Sequence, residues 1–301
     1  MIARAAVPPV EGAQIEVTVV LRRRAGADQF DPSVRLSRED FAARMGADAA
    51  DLEVVTATLG GPGLRVLSTD LPSRRLRVAG SAAALSRVFG TQLEAVNSRA
   101  VDGAEVQHRN RSGMLMVPTS LDGIITAVLG LDDRPQSLAE LRIAEARTVA
   151  VSYTPLDLAD VYRFPPRFDG AGQTIAIIEL GGGFAQAELD TYFADLGIAG
   201  PKVTAVGISW GQNEDAWTAQ AMHSLDQAFV DAASLGITVT AAAGDNGSSD
   251  GASDGRDHAD FPASSPHVLA CGGTSLQASS GIVTSETVWN NGSGAGQPGA
   301  V

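Results

Sequence analysis

Two short stretches of this chain carry side chains that could do acyl-transfer chemistry. In Cys271-Gly272-Gly273-Thr274-Ser275 a serine follows two glycines and a threonine, a setting in which a hydroxyl can be presented as a nucleophile. In Ala241-Ala242-Ala243-Gly244-Asp245-Asn246-Gly247 small residues lead into one short polar side chain. Asp245 is thereby expected at the mouth of a cleft, where a hydrogen-bond donor would stabilise an oxyanion. An ionised carboxylate cannot do this, because it has no hydrogen to give and repels negative charge. A protonated one can, which calls for low pH or a raised pKa. An ordinary turn aspartate in Asp-Asn-Gly fits the same residues.

The other reactive side chains add little. His108, His223, His258 and His267 are scattered, and no carboxylate motif pairs with any of them in the sequence. The loop from Asp250 to Asp260, with Asp250, Asp254, Gly255 and Asp257, looks superficially like a calcium loop. Its spacing does not fit the twelve-residue EF-hand pattern and the closing glutamate is missing, so a solvated acidic loop is expected and no metal site. Cys271 is alone, which excludes an internal disulfide and a multi-cysteine zinc site.

The elements that must position these residues follow from periodicity. "IEVTVVLRR" (15–23) alternates and is β-branched, so it reads as a strand. "LSREDFAARMG" (36–46) reads as a helix capped by Ser37 and stopped at Gly46. "LEVVTATLGG" and "LRVLSTD" read as strand-like pieces around a glycine turn. "SRRLRVAG" (73–80) is a further strand, and "SAAALSRVFGT" (81–91) a helix capped by Ser81. With "TQLEAVNS" and "EVQHRNRSGMLMVP" this makes an α+β domain, expected to be ferredoxin-like and to end near residue 130. Residues 134–155 then read as a linker with a short helical stretch.

From residue 174 the pattern changes. "TIAIIELGGG", "AVGISWG" and "ITVTAAAGDNG" are apolar runs that end in glycines. Between them, helices are expected over 187–197 and 219–236. That alternation predicts an α/β domain with a parallel sheet. Its ligand site should lie at the carboxyl ends of the strands, where 181–183, 209–211 and 244–251 fall.

Charge divides the chain at the same place. Residues 1–150 hold 18 arginines against 18 acidic side chains, whereas 151–301 hold 4 basic against 17 acidic and so carry all of the formal charge of −13. An acidic second half argues against nucleic acid as its partner; the split fits compositional drift and mutual attraction of the halves equally. With 44 % apolar and 19 % charged residues the chain should fold as a globular protein. No apolar run is long enough to span a membrane, and no signal-peptide core is visible near the N-terminus.

Taken together, "AAAGDNGSSDG", "DFPASSPHVLACGGTSL", "ISWG" and "GQTIAIIELGGG" resemble the sedolisin family of serine-carboxyl peptidases, most of all its kumamolisin-type members. The resemblance implies a subtilisin-like fold, a Ser-Glu-Asp catalytic set and an aspartate serving the oxyanion hole. It also implies action on proteins at acid pH and a long N-terminal propeptide. Residues 1–147 would be that propeptide and 148–301 an incomplete peptidase domain, with "YTPLDLADVYRFP" (153–165) just past the activation junction. Asp245 would be the oxyanion-hole acid. Ser209, Trp210, Gly211 and Gly244 would line the substrate side, and Asp260 would be an acid near the primary specificity pocket.

The same resemblance answers the question of Ser275. The family's nucleophile lies in a later segment, so Ser275 is not expected to serve, and that segment would fall beyond Val301 together with the family's calcium site. The family's Glu and Asp lie four apart on one helix before "ISWG"; here Val206 runs through Gly207 straight into Ile208. The expected partners are a protein or peptide substrate, a homologous peptidase, or the chain's own propeptide, with no nucleic acid, membrane or cofactor. Relatives are typically secreted. A sheet lacking a central strand should be marginal, because ~25 cal/mol for each Å² of uncovered apolar surface soon rivals a domain's whole stability.

Overall fold

The structure is a computed structural model, described here for residues 14–26, 34–61, 63–99, 105–135, 137–139, 153–167, 176–178, 185–197 and 206–289. The chain forms two compact units: Met1–Pro135 joined by Thr218–Gly236, and Gln136–Trp217 joined by Ile237–Val301. The fold is mixed α/β.

In the first unit, strand β1 (Gln14–Leu21) points Ile15, Val17, Val19 and Leu21 inward at every second residue. Helix α1 (Arg38–Met45) starts where the Ser37 side chain accepts from Asp40 N–H. Helix α2 (Ala49–Leu59) follows, capped by Asp48. It corrects the strand-like reading of residues 52–61. Val55 and Leu59 recur four apart on the buried face, and that spacing with a good N-cap overrides the strand preference of the Val-Val-Thr run. Strands β2 (Leu64–Asp70) and β3 (Arg75–Ser81) form a hairpin, and α3 (Ala82–Phe89) is capped by Ser81 and closed by Gly90 at φ +57°. Strands β4 (Gln92–Arg99) and β5 (Glu105–Ser112) pair only with each other, and β6 (Ile125–Leu129) completes the main sheet. That sheet runs β2-β3-β1-β6 with antiparallel neighbours. One core lies between it and α2 and α3, with Leu21, Val55, Leu59, Leu76, Leu85 and Phe89 at most 1 % exposed.

The second unit holds β7 (Leu138–Ala139), α4 (Pro155–Val161), β8 (Ile177–Ile178) and α5 (Gln186–Asp195). Next come β9 (Val206–Ile208) and β10 (Trp210–Asn213), which split the single strand expected around "ISWG" at Ser209. Strands β11 (Val239–Ala242), β12 (Asp260–Phe261), β13 (Leu269–Cys271), β14 (Thr274–Ser279) and β15 (Ile282–Val288) follow. A sheet ordered β13-β11-β9-β8 has parallel neighbours throughout. Strand β10 instead pairs antiparallel with β12 and β7. The β14–β15 hairpin is tied to the α4 segment by Tyr153, whose hydroxyl accepts from Ala278 N–H at 2.6 Å and donates to Ala278 O at 3.0 Å. The glycine loop 181–183 and the junction around 145–152 lie outside the described residues.

Helix α6 (Ala219–Ser234), capped by Thr218, belongs with the first unit although it stands between β10 and β11 in sequence. Its Asp231 receives Arg23 at 2.8 Å and Arg74 at 2.9 Å. Arg74 is a buried guanidinium on a residue at φ +60°, a left-handed backbone conformation that is costly outside glycine. Gln220 completes the attachment: with its amide turned to the orientation that satisfies both groups, the nitrogen donates to Val128 O at 2.9 Å and the oxygen accepts from Val128 N–H at 3.2 Å. A side chain thus satisfies backbone groups on the edge strand β6. Leu235 packs on Leu36, Phe41 and Met45.

Candidate functional site

Strand β9 ends at Ile208, and the chain turns out of the parallel sheet at the exposed Ser209. Trp210 is 7 % exposed and its indole N–H donates to Ile178 O at 3.1 Å. Gly211 is buried against β12: a Cβ there would lie 2.6 Å from Asp260 Cγ, so only glycine admits this carboxylate. Strand β11 leads into Gly244 at φ +95°, a conformation that favours glycine. A Cβ on Gly244 would lie 3.2 Å from Asp250 Oδ1 and 3.5 Å from Asp260 Oδ2. Gly211, Gly244 and Asp260 are therefore brought together, with Ser209 and Trp210 on the adjoining strand end. Asp245 follows Gly244 and is half-buried.

Asp250 was read in the sequence as part of a solvated loop; its side chain is instead buried. It is 5 % exposed at φ +42°, and its Oδ2 lacks a hydrogen-bond partner. Burial pushes its carboxyl above the usual range, only partly offset by the charge of His258 and a hydrogen bond from Asn246. Two acids, Asp250 and Asp260, thus converge under Gly244.

The sequence shows no carboxylate motif for His258, but the structure gives it two carboxylate partners. Its Nδ1 lies 2.9 Å from Asp215 Oδ2 and its Nε2 lies 2.9 Å from Asp254 Oδ1. Asp254 and His258 are four apart, a signal that was present in the sequence. Asp215 is 43 residues away and gave none. His108 is buried on β5, 3.9 Å from Asp132, and His223 lies on α6. Ser275 sits in β14 opposite Thr287. Among the described residues no group of three or more His, Cys, Asp or Glu side chains is arranged to hold a metal ion, and no helix is long and apolar enough to cross a membrane.

Comparison with known proteins bears on what this arrangement is. The family described as "Pro-kumamolisin, activation domain" matches residues 8–134. Kumamolisin from Bacillus sp. (strain MN-32) is 35 % identical over 380 aligned positions, covering 97 % of this chain and 68 % of the relative. Sedolisin from Pseudomonas sp. (strain 101) is 25 % identical over 377 positions, covering 94 % of this chain and 63 % of its own length. Among solved structures, Pseudomonas sedolisin, a serine-carboxyl proteinase complexed with two molecules of pseudo-iodotyrostatin, overlaps 48 % of this chain and 52 % of its own. It does so at 24 % identity and a TM-score of 0.30.

An activation domain followed by a peptidase-related region is the organisation of a zymogen. The chain belongs to the sedolisin family of serine-carboxyl peptidases, in pro-form. It spans about two thirds of the length of the two relatives. Both alignments are longer than the chain's own 301 residues, so the relatives carry segments within the matched span that have no counterpart here.

Proposed function

We propose that this chain descends from an acid-acting serine endopeptidase and does not by itself complete peptide hydrolysis. The observation that carries the reading is β9. Val206, Gly207 and Ile208 form one continuous strand, paired with β8 and β11, where the family resemblance calls for a helix bearing the paired Glu and Asp. Without that pair the family's own means of taking the proton from a serine hydroxyl would be missing. The matched segments absent from this chain favour the same conclusion.

The residues that remain belong to the substrate side. Asp245, when protonated, would donate to a developing oxyanion. The exposed Ser209 would line a peptide's path, while Gly211 and Gly244, beside the buried Trp210, would seat the Asp260 carboxylate beneath it. The reading calls for no cofactor. The order β2-β3-β1-β6 supports a ferredoxin-like propeptide within residues 1–147. The parallel β13-β11-β9-β8 sheet supports an incomplete subtilisin-like domain within 148–301.

The test is incubation of the purified chain with an unfolded protein at about pH 3.5, near ordinary carboxyl pKa values, with products read by mass spectrometry. No cleavage is expected from the wild type, Asp245→Ala or Ser275→Ala. Cleavage that disappears in Asp245→Ala would overturn the proposal.

A second reading is favoured by helix α6. The first unit carries two arginines and an edge strand fitted to Asp231 and Gln220 of that helix, so it has the features of a binding module for an acidic helix. The partner would be the corresponding helix of a homologous peptidase. Slowed turnover of a complete homologous peptidase on adding this chain, relieved by Arg23→Glu with Arg74→Glu, is the expected result. Equal inhibition by the variant would refute it.

A further inference from the structure

His258 stands where three segments of the second unit meet. Its backbone N–H donates to Ser248 O at 2.8 Å, and the next residue's carbonyl, Ala259 O, accepts from Glu214 N–H at 2.9 Å. Its ring is 5 % exposed, with a carboxylate on each nitrogen: Asp215 from the turn Glu214–Ala216, and Asp254 from the loop after β11. A neutral imidazole has one N–H and one lone pair. In this arrangement the lone pair would face a carboxylate oxygen at 2.9 Å, which is repulsive; only the imidazolium donates to both. The surrounding charges agree. Asp250 also feels His258, Arg256 donates its backbone N–H to Asp254 at 3.0 Å, and Glu214 is held by Ser264 at 2.9 Å. No arginine or lysine is bonded to Asp215 among these contacts, so the imidazolium is the cation that joins the two segments.

We propose that His258, as an imidazolium, is a positioning residue that pins the loop 244–260, which carries Asp245, to the turn 214–216. The loop is then held in acid and released when the proton leaves. The pin rests on the reading of 244–260 as the substrate-side loop for its significance, but it does not need turnover to be tested.

The sign follows from the two partners. The hydrogen bond and charge of Asp254, and then those of Asp215, raise His258 above its ordinary 6.5 despite its burial. Its contribution to holding the loop is therefore complete below that value and lost as pH rises through the raised one. At the acid end, the His258 hydrogen bond holds Asp254 below the ordinary carboxyl range, so the pin survives mild acid. It holds below the ordinary histidine value and fails as pH rises through the raised one.

The experiment combines a nuclear magnetic resonance titration of His258 with millisecond hydrogen exchange of residues 213–217 and 244–260, corrected for the intrinsic pH dependence of exchange. Wild-type protein should lose protection across the titration of His258. Each pK unit by which His258 exceeds an unpaired histidine should appear as about a tenfold loss. The pair Asp215→Asn with Asp254→Asn should lower the His258 midpoint and remove the pH-dependent step, and His258→Gln should leave the loop's exchange flat with pH. Protection that stays constant while His258 titrates overturns the proposal, as does a midpoint unchanged in the double asparagine variant. Neither outcome depends on peptidase activity, so failure of the pin and failure of the proposed function are read separately.

Discussion

The two units solve the problem of burial differently. The first packs a sheet against two capped helices and leaves Val19, Val55, Leu59, Leu76, Val78, Leu85 and Phe89 inaccessible to water. In the second, the described buried apolar side chains include Ile208, Trp210, Val239, Ala241 and Phe261. Leu269 stays 59 % exposed, Ile282 68 % and Val288 50 %. The same contrast holds for charge. In the first unit buried acids have arginine partners, as Asp132 has Arg134 at 2.6 Å and Asp231 has Arg23 and Arg74. In the second, Asp250 is buried beside Gly244 and desolvated enough to hold its proton more tightly. The first unit neutralises buried acids with arginines, whereas the second leaves the buried Asp250 biased toward its neutral form.

The largest effect should come from the core of the first unit. Phe89→Ala is expected to cost about 3–5 kcal/mol, seen as a lower urea midpoint for the transition that reports on this unit. Trimming the exposed Ile282 to alanine should cost less than about 0.5 kcal/mol. Comparable losses for both substitutions would break the contrast.

Asp231→Ala comes next. It leaves the guanidinium of Arg74, 7 % exposed, and that of Arg23, 15 % exposed, without their carboxylate. Stranding buried charge in this way costs about 3 kcal/mol, and limited proteolysis should then open α6 before the sheet of the first unit. If α6 stays protected, the helix is held by something other than these arginines.

Gly211→Ala forces a methyl group into the Asp260 carboxylate. A cost of about 1–3 kcal/mol is expected, with a changed Trp210 fluorescence and little effect on the first unit.

The smallest effects are pH-dependent and opposite in the two units. Burial alone would raise Asp132, but hydrogen bonds from the Arg134 side chain and from the backbone of Arg134 and Arg111 outweigh it and hold the carboxyl below its usual range. Its contribution is present above the unfolded value near 3.8 and is lost as pH falls through the lowered one. Burial raises Asp250, so its contribution is present below 3.8 and lost as pH rises through the raised value. Acidification should therefore remove the contribution of Asp132 to the first unit and restore that of Asp250 to the second. Asp132→Asn should flatten the acid limb of the first unit's stability curve, and Asp250→Asn the neutral limb of the second's. Unchanged pH curves in both asparagine variants would erase the distinction.

Local signals in the sequence carried much of this. Alternation in 15–21, the Ser37 and Ser81 caps, the stop at Gly90 and the apolar runs before glycine were each legible because they depend on neighbours a few residues away. The strand reading of 52–61 failed for a local reason too, since a β-branched run fits either element and only burial of Val55 and Leu59 on one face chose the helix. Motif resemblance singled out Gly211, Gly244 and Asp260, and the structure brings them together: both glycines make room for one carboxylate.

What the sequence by itself determined is the family, several locally encoded elements and the uninterrupted Val206-Gly207-Ile208 segment on which the loss of the acid pair is argued. Only the tertiary structure decided that Asp250 is buried, that α6 belongs with the N-terminal sheet, and that His258 has a carboxylate on each side. The reason is common to all three. Burial and ion pairing depend on side chains brought together from far along the chain, 43 residues for Asp215 and His258 and 208 for Arg23 and Asp231. No periodicity of a single segment encodes such a distance.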